Sequence, residues 1–350
     1  MKIPGFQKYT PEHGVVMFIW LLYLLPACRA EPESGEKTSS QKKFKSEQKI
    51  SYSDTSFLDT ALYNLKLLQM VHGKPSNNWP AKSVYPLDGA VLPFKRIVAY
   101  YGNLYSTGMG ILGALPENQM LEKLQNEARN WEKADSSTPV QPALHYIAVT
   151  AQRSPGPSRK YRLRMPFHQI DRVLQMAKKI DALVFLDIQV GHSTLEEEIP
   201  ALKEYLLLPH VHLGIDPEYS MKGGEVPCRV IGTFDAADIN YATNYLAELV
   251  REQNLPPKIL VIHRFTKAMV TNYKKINTLP EVQIVMNMDG FGYPAKKMDT
   301  YKHWIAGEPV QFTGFKVFYK NDVQNKNWPL VMSPSEILNL YPSPVYIQYQ

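Results

Sequence analysis

From Arg96 onward, short apolar runs rich in Val, Ile, Phe and Tyr take turns with longer stretches whose apolar side chains recur every three to four positions. The short runs suit strands buried on both faces, and the longer stretches suit helices with one buried stripe. The strands predicted in this way are Ile97–Tyr101, Leu144–Val149, Leu183–Ile188, Val211–Ile215, Ile259–His263, Gln283–Met288, Gly314–Tyr319 and Val345–Tyr349. Helical stripes lie between them at Leu121, Leu124, Ala128 and Trp131, then at Ile170, Val173, Leu174 and Ala177. Two more run through Leu195, Ile199, Leu202 and Leu206, and through Ala242, Tyr245, Leu246 and Leu249. Shorter helices are expected around 267–276, 295–304 and 334–340, with Asp235, Asp238 and Ser333 as N-terminal caps. Strict strand–helix alternation calls for parallel strands joined by crossover helices. Eight such units are the number that closes a (β/α)8 TIM barrel, here over residues 93–350. An open doubly wound sheet is the alternative architecture.

The pattern upstream is different. Lys2 and Lys8 precede the apolar run Val15–Ala27. Thirteen helical residues rise only about 20 Å, short of the roughly 30 Å hydrocarbon core of a bilayer, so residues 1–27 read as a signal peptide. Leu25-Pro26-Ala27-Cys28 resembles the lipobox of bacterial lipoproteins. That resemblance implies cleavage before Cys28, acylation of its sulfur, and a lipid-anchored, extracytoplasmic place at a bacterial cell membrane. Residues 28–55 are dominated by Glu, Lys, Ser and Gln and offer too few apolar groups to offset ordering, which predicts a disordered tether. Residues 56–92 hold a helix over Phe57–Met70, flanking the barrel, and then a proline-interrupted loop.

Composition narrows the reading in two places. The chain of 350 residues has only two cysteines, so with Cys28 acylated, Cys228 has no partner and the core must supply the stability. The net charge of +6 is spread thinly, with no long Lys/Arg run in the folded part, and nucleic acid is not an expected partner.

Active sites of β/α barrels lie where the strands end at their C-terminal side. Here those ends carry a row of acids: Asp187 and Gln189 on the third strand, Asp216 and Glu218 on the fourth, Asn287 and Asp289 on the sixth. The fifth contributes His263, the first Tyr101, the seventh Tyr319 and the eighth Tyr349. Strand residues two apart share a face, which would aim Asp216 and Glu218 together at the barrel mouth, with Pro217 between them as a source of distortion. Paired carboxyls do not both ionise cheaply, so one is raised, as protonation of a glycosidic oxygen requires. Tyrosines at the rim suit stacking on the C–H faces of sugars.

Asp216-Pro-Glu218 on a fourth strand resembles the catalytic strand of family-18 chitinases and family-25 muramidases. Met286-Asn287-Met288-Asp289 is similar to the sixth strand of the chitinases. The resemblance implies Glu218 as acid/base, Asp216 as its support and Asp289 as the stabiliser of developing positive charge. Asp187, Gln189, Tyr101, His263, Asn287, Tyr319 and Tyr349 would bind substrate. The longer Asp-Gly run of the chitinases is absent, and Met288 stands at their tyrosine position. The expected partner is a cell-envelope or environmental polysaccharide, of the peptidoglycan type among others, with no cofactor and no metal.

Two rivals remain. A non-catalytic barrel would bind glycans at the same mouth. A metal-dependent phosphodiesterase or deacetylase would use Asp187, Asp216, Glu218, His263 and Asp289 as ligands, with His145 and His192 nearby. Gly108-Met-Gly110-Ile-Leu-Gly113 spells a dinucleotide fingerprint, but its first glycine comes well after the strand tip and Pro116 delays the helix, so a flexible loop over the mouth is expected instead. No Gly-x-Ser-x-Gly elbow supports a serine hydrolase.

Overall fold

Eight parallel strands close on themselves in the computed structural model, which describes residues 58–350. They are β1 (Arg96–Gly102), β2 (Val140–Ala151), β3 (Leu183–Ile188), β4 (Val211–Ile215), β5 (Lys258–Arg264), β6 (Val282–Met288), β7 (Phe312–Val317) and β8 (Tyr346–Tyr349). Each pairs with its neighbours in order. Closure comes from β1, which pairs with β2 on one side (Tyr101 opposite His145) and with β8 on the other (Ile97 opposite Tyr346). The fold is thus a (β/α)8 barrel, and the open sheet is set aside. All eight expected strands form, with ends displaced by a few residues, most at β2, which starts four residues earlier and runs two longer.

The strands show no polar–apolar alternation because both faces are covered. Outside, the helices α2 (Glu117–Ala134), α3 (Phe167–Lys178) and α4 (Ala236–Gln253) pack Leu121, Leu124, Trp131, Ile170, Val173 and Leu246 against Val98, Leu144, Leu186 and Leu260. Helix α4 starts in a capping box, Asp235 accepting from Ala237 N and Asp238 from the Asp235 amide, so Asp238 is the partner of the cap and not a cap itself. Ser333 caps α6 (Pro334–Leu338) by the same device. α5 (Pro294–Thr300) continues as a π-helical turn through Ala306.

Two helical expectations are corrected. The stripe Leu195–Leu206 is broken into Leu195–Glu198, a 3-10 turn Pro200–Leu202 and Lys203–Leu206, because Pro200 cannot donate to the preceding turn. Residues 267–276 form no helix. Two 3-10 turns flank a two-residue bridge, Val270–Thr271 beside Phe234–Asp235, and Asn272 takes a left-handed conformation that stops a helix there. The Gly108–Gly113 segment is no dinucleotide turn. Gly110 has φ +147°, and a Cβ there would lie 2.2 Å from Tyr101 O, so the glycine permits a close approach to the end of β1.

Below the barrel, α1 (Thr60–Met70) is capped by Asp59, whose Oδ1 accepts from Leu62 N at 2.9 Å. It turns Tyr63 and Met70 into the lower interior, where they join Ile97, Ala99, Phe185, Ile259, Val261, Val285 and Phe312. Gln283 ties the following segment in place, accepting from Val91 N and Leu92 N at 3.1 Å. This plugs one end of the barrel and leaves the strand C-termini as the end where polar chemistry collects. The expected signal peptide, Cys28 and the tether over 28–55 lie outside the described residues. Among the described residues no helix is long and apolar enough to cross a membrane.

Candidate active site

Alternate residues of each strand point inward, so the interior is built in layers. Above the apolar layer stand Tyr101, His145, Asp187, His263, Asn287, Lys316 and Gln348, all buried, from β1, β2, β3, β5, β6, β7 and β8. β4 supplies a glycine at this level. A Cβ on Gly214 would come 2.3 Å from Asp187 Oδ1 and 2.4 Å from His145 Nε2, so only glycine leaves room for those two groups to meet. Gly214→Ala should therefore cost about 1–3 kcal/mol in unfolding free energy, the usual penalty of overpacking a filled core, as a chemical-denaturation midpoint would read.

The polar groups form one chain of contacts. Tyr346 Oη and Gln348 Nε2 lie 2.6 and 3.1 Å from His145 Nδ1. His145 Nε2 is 3.1 Å from Asp187 Oδ1, which His263 Nε2 also reaches at 3.2 Å, and Tyr101 Oη donates to Asp187 Oδ2 at 3.0 Å. His263 Nδ1 reaches Asp289 Oδ2 at 2.8 Å. Lys316 Nζ completes the chain, 2.8 Å from Asp289 Oδ1 and 3.9 Å above the centre of the Tyr101 ring.

Protonation follows from who faces whom. Gln348 Nε2 only donates, so His145 Nδ1 is an acceptor and its Nε2–H points at Asp187. Burial keeps this ring neutral, lowering its pKa to about 4. Burial opposes charge on His263 as well, but a carboxylate at each nitrogen outweighs it and lifts its pKa to about 10. Asp187 is raised by burial and lowered more strongly by the His263 charge and the two histidine hydrogen bonds, which hold it well below the usual carboxylate range. Asp289 is raised by burial, yet Lys316 and His263 bring it below its ordinary value. The charges therefore alternate, Asp187⁻, His263⁺, Asp289⁻, Lys316⁺, and cancel, which offsets the cost of taking four ions out of water.

At the rim the electrostatics reverse. Pro217 turns the chain out of β4 into a 3-10 turn, Pro217–Tyr219, so Asp216 and Glu218 are not strand neighbours on one face as the two-residue spacing suggests. Asp216 caps that turn, Oδ1 accepting from Glu218 N at 3.0 Å, and so holds the backbone that carries Glu218. Burial raises the Asp216 carboxyl well above its ordinary value. His263 pulls it down, while Glu218, Asp187 and Asp289 push it further up. Glu218 is half-buried and its carboxyl makes no hydrogen bond or ion pair with the described residues. Burial and then the charge of Asp289 push its pKa up to about 7, against the pull of Lys316 and His263.

The structure thus brings together eight residues expected at the site: Glu218, Asp216, Asp289, Asp187, Gln189, Tyr101, His263 and Asn287. Gln189 fastens β2 to β3, Oε1 accepting from Ala151 N at 3.0 Å. Asn287 is buried with both amide atoms unpartnered among the described residues. Tyr319 and Tyr349 are not at the site. They lie outside the barrel against α2: Tyr319 donates to Glu127 Oε1 at 3.0 Å, stacks on Tyr349 at 5.1 Å, and Tyr349 Oη accepts from Trp131 Nε1 at 2.9 Å. On β8 the inward residues are Tyr346 and Gln348, so Tyr349 necessarily points out.

Lys316 and Gln348 were not anticipated, and His145 only as a neighbour of a metal. The available signal was the lysine itself: midway along a mostly apolar strand, Lys316 needs a buried partner. His145, Asp187 and His263 each offer one ligand atom, mutually within 4.8 Å. Their nitrogens are already committed, both Nε2 atoms to one carboxylate oxygen and the outer two to Tyr346 and Asp289, which fits a hydrogen-bonded chain better than a ligand set. Of the other expected ligands, His192 lies away on a loop, its Nε2 2.7 Å from Glu225 O. No family model matches the sequence, and no curated protein is significantly similar to it.

Proposed function

We propose that this protein is a glycoside-hydrolase-like enzyme that cleaves a cell-envelope or environmental polysaccharide by carboxylate acid/base catalysis. One observation carries the reading: at the rim, the half-buried Glu218 carboxyl, raised by burial, stands in the field of Asp289, which lies 2.8 Å from both His263 Nδ1 and Lys316 Nζ and is held ionised by them. Two acids whose surroundings drive their protonation apart are what glycosidic cleavage uses. Glu218 would give its proton to the leaving oxygen. Asp289, held ionised by His263 and Lys316, would face the positive charge that develops on the sugar ring or orient the attacking water. Asp216 positions Glu218 through the cap of its turn.

Aromatic surface for sugar rings is supplied by Phe291 and Tyr293, which follow Asp289 on the loop after β6 and are 40% and 41% exposed. Tyr101 is buried beneath Lys316 and serves Asp187, not a sugar. The test is release of reducing ends from peptidoglycan and from a panel of soluble polysaccharides by the full chain. Release from at least one supports the reading. Affinity for a glycan without release from any would leave a binding module in its place.

A further inference from the structure

Helix α1 buries Tyr63 and Met70 under the barrel and turns its other side outward, where Leu62, Leu65 and Leu68 are 40%, 51% and 40% exposed. Val84, Tyr85 and Leu87 of the next segment are also exposed. Tyr85 is joined to α1 by a hydrogen bond from Asn64 Nδ2 at 2.9 Å and by an edge contact with Tyr63. Lysines dominate the charge along this stretch: residues 60–95 carry Lys66, Lys74, Lys82 and Lys95 against the acid Asp88. Beside α1 lies a cleft of about 290 Å³ lined in part by Lys66, His72, Arg96 and Asp135, where Lys66 Nζ donates to Ser137 O at 2.7 Å and His72 Nε2 lies 3.0 Å from Leu340 O. Arg96 is 4% exposed and holds Asp135 through Nη2 at 3.0 Å, while its Nη1 has no partner among the described residues.

We propose that this plugged end of the barrel rests on an anionic lipid surface, with the outer leucines of α1 in the headgroup region and the lysines around them facing the headgroup phosphates. The exposed leucines of α1 stand beside lysines, Lys66 within the helix and Lys74, Lys82 and Lys95 on the segment after it, which suits a lipid interface, and a surface of negative headgroups matches the sign of the charge here. The chain leading into α1 is charge-balanced, with six basic and six acidic residues over 28–59, and further upstream carries the apolar run Val15–Ala27. A membrane engaged by that run would lie within tether length of α1. From residue 28 to residue 60 the chain can span at most about 3.3–3.6 Å per residue, and such tethering raises the local concentration enough for a weak interface to be occupied. The docked barrel would present Glu218 and Asp289 away from the lipid, toward whatever lies beyond it. This inference stands whether or not the glycan reading does.

The test places a tryptophan at either end of the barrel in the full chain: Leu65→Trp on α1 and Tyr105→Trp on the loop after β1, where Tyr105 is 59% exposed. Both are reconstituted into phosphatidylcholine vesicles with brominated acyl chains, with and without phosphatidylglycerol. With phosphatidylglycerol present, quenching over the wild-type background should be about twofold or more greater for Leu65→Trp than for Tyr105→Trp, and it should fall in neutral vesicles. A Leu68→Trp reporter should be quenched like Leu65→Trp, and adding Lys66→Glu should bring its quenching with phosphatidylglycerol down to that of Tyr105→Trp while the circular-dichroism spectrum stays native. Equal quenching at the two ends, or quenching indifferent to phosphatidylglycerol, overturns the proposal. So does self-association without vesicles that Leu65→Glu abolishes, which would make this face a contact between copies of the chain.

Discussion

Glu218→Gln is expected to lower glycan hydrolysis by about 10²–10⁴-fold while leaving glycan affinity nearly unchanged, because the amide keeps the shape of the acid and cannot supply its proton. The pH profile separates this loss from a structural one. As a proton donor Glu218 works only while protonated, so wild-type activity should fall as pH rises through about 7, the value to which burial and Asp289 lift it. Asp289 works only while ionised, and since Lys316 and His263 hold it below its ordinary value, the acid-side loss should come at lower pH than for a free carboxyl. In Glu218→Gln the fall above pH 7 should vanish from whatever activity remains. A variant that keeps that limb, or a wild-type profile flat from pH 5 to 9, would remove Glu218 from the proton-donating role.

Asp187→Ala is expected to destabilise the fold by about 3–5 kcal/mol, the scale on which removing one member of a buried ion pair acts. Asp187 accepts from both histidines and from Tyr101, so its loss strips His263 of one counter-charge and leaves His145 Nε2–H without its acceptor. The pH dependence of the cost follows from two shifts. Asp187 is depressed in the folded state, so its contribution is present above the ordinary carboxylate value of 3.8 and wanes as the pH drops below it. His263 is raised, so its contribution is complete below 6.5 and is lost as pH climbs toward about 10. The difference between wild type and variant should be largest between about pH 4 and 6.5 and smaller by pH 10. Urea unfolding at pH 5.5, 7.5 and 10 would measure it, and a difference constant across that range would contradict the assignment of charge to His263.

The barrel was legible in the sequence because strand–helix alternation is a property of single segments. Buried strands appear as apolar runs and covering helices as stripes, each visible without knowing its neighbours. The acids at the strand ends were legible for the same reason, since a barrel gathers all C-terminal ends at one mouth. What was hidden is phase and pairing. A strand covered on both faces is apolar throughout, so nothing local said that Tyr101 faces in and Tyr319 and Tyr349 face out. Nor does any single strand announce that its histidine meets an aspartate two strands away. Asp187, read alone as one acid in a row at the strand ends, becomes the centre of the interior only once β1, β2, β3 and β5 lie side by side.

That shared interior also constrains how the protein can change. A residue that serves three others cannot be exchanged without stranding them, so the effects of substitutions at Asp187, His263 and Asp289 should not add. Losing His263 and Asp187 together should cost less than the sum of the two single losses, because the second removal discards a charge that the first had orphaned. Drift at this site would then have to proceed by compensating pairs, and single steps would pass through less stable proteins.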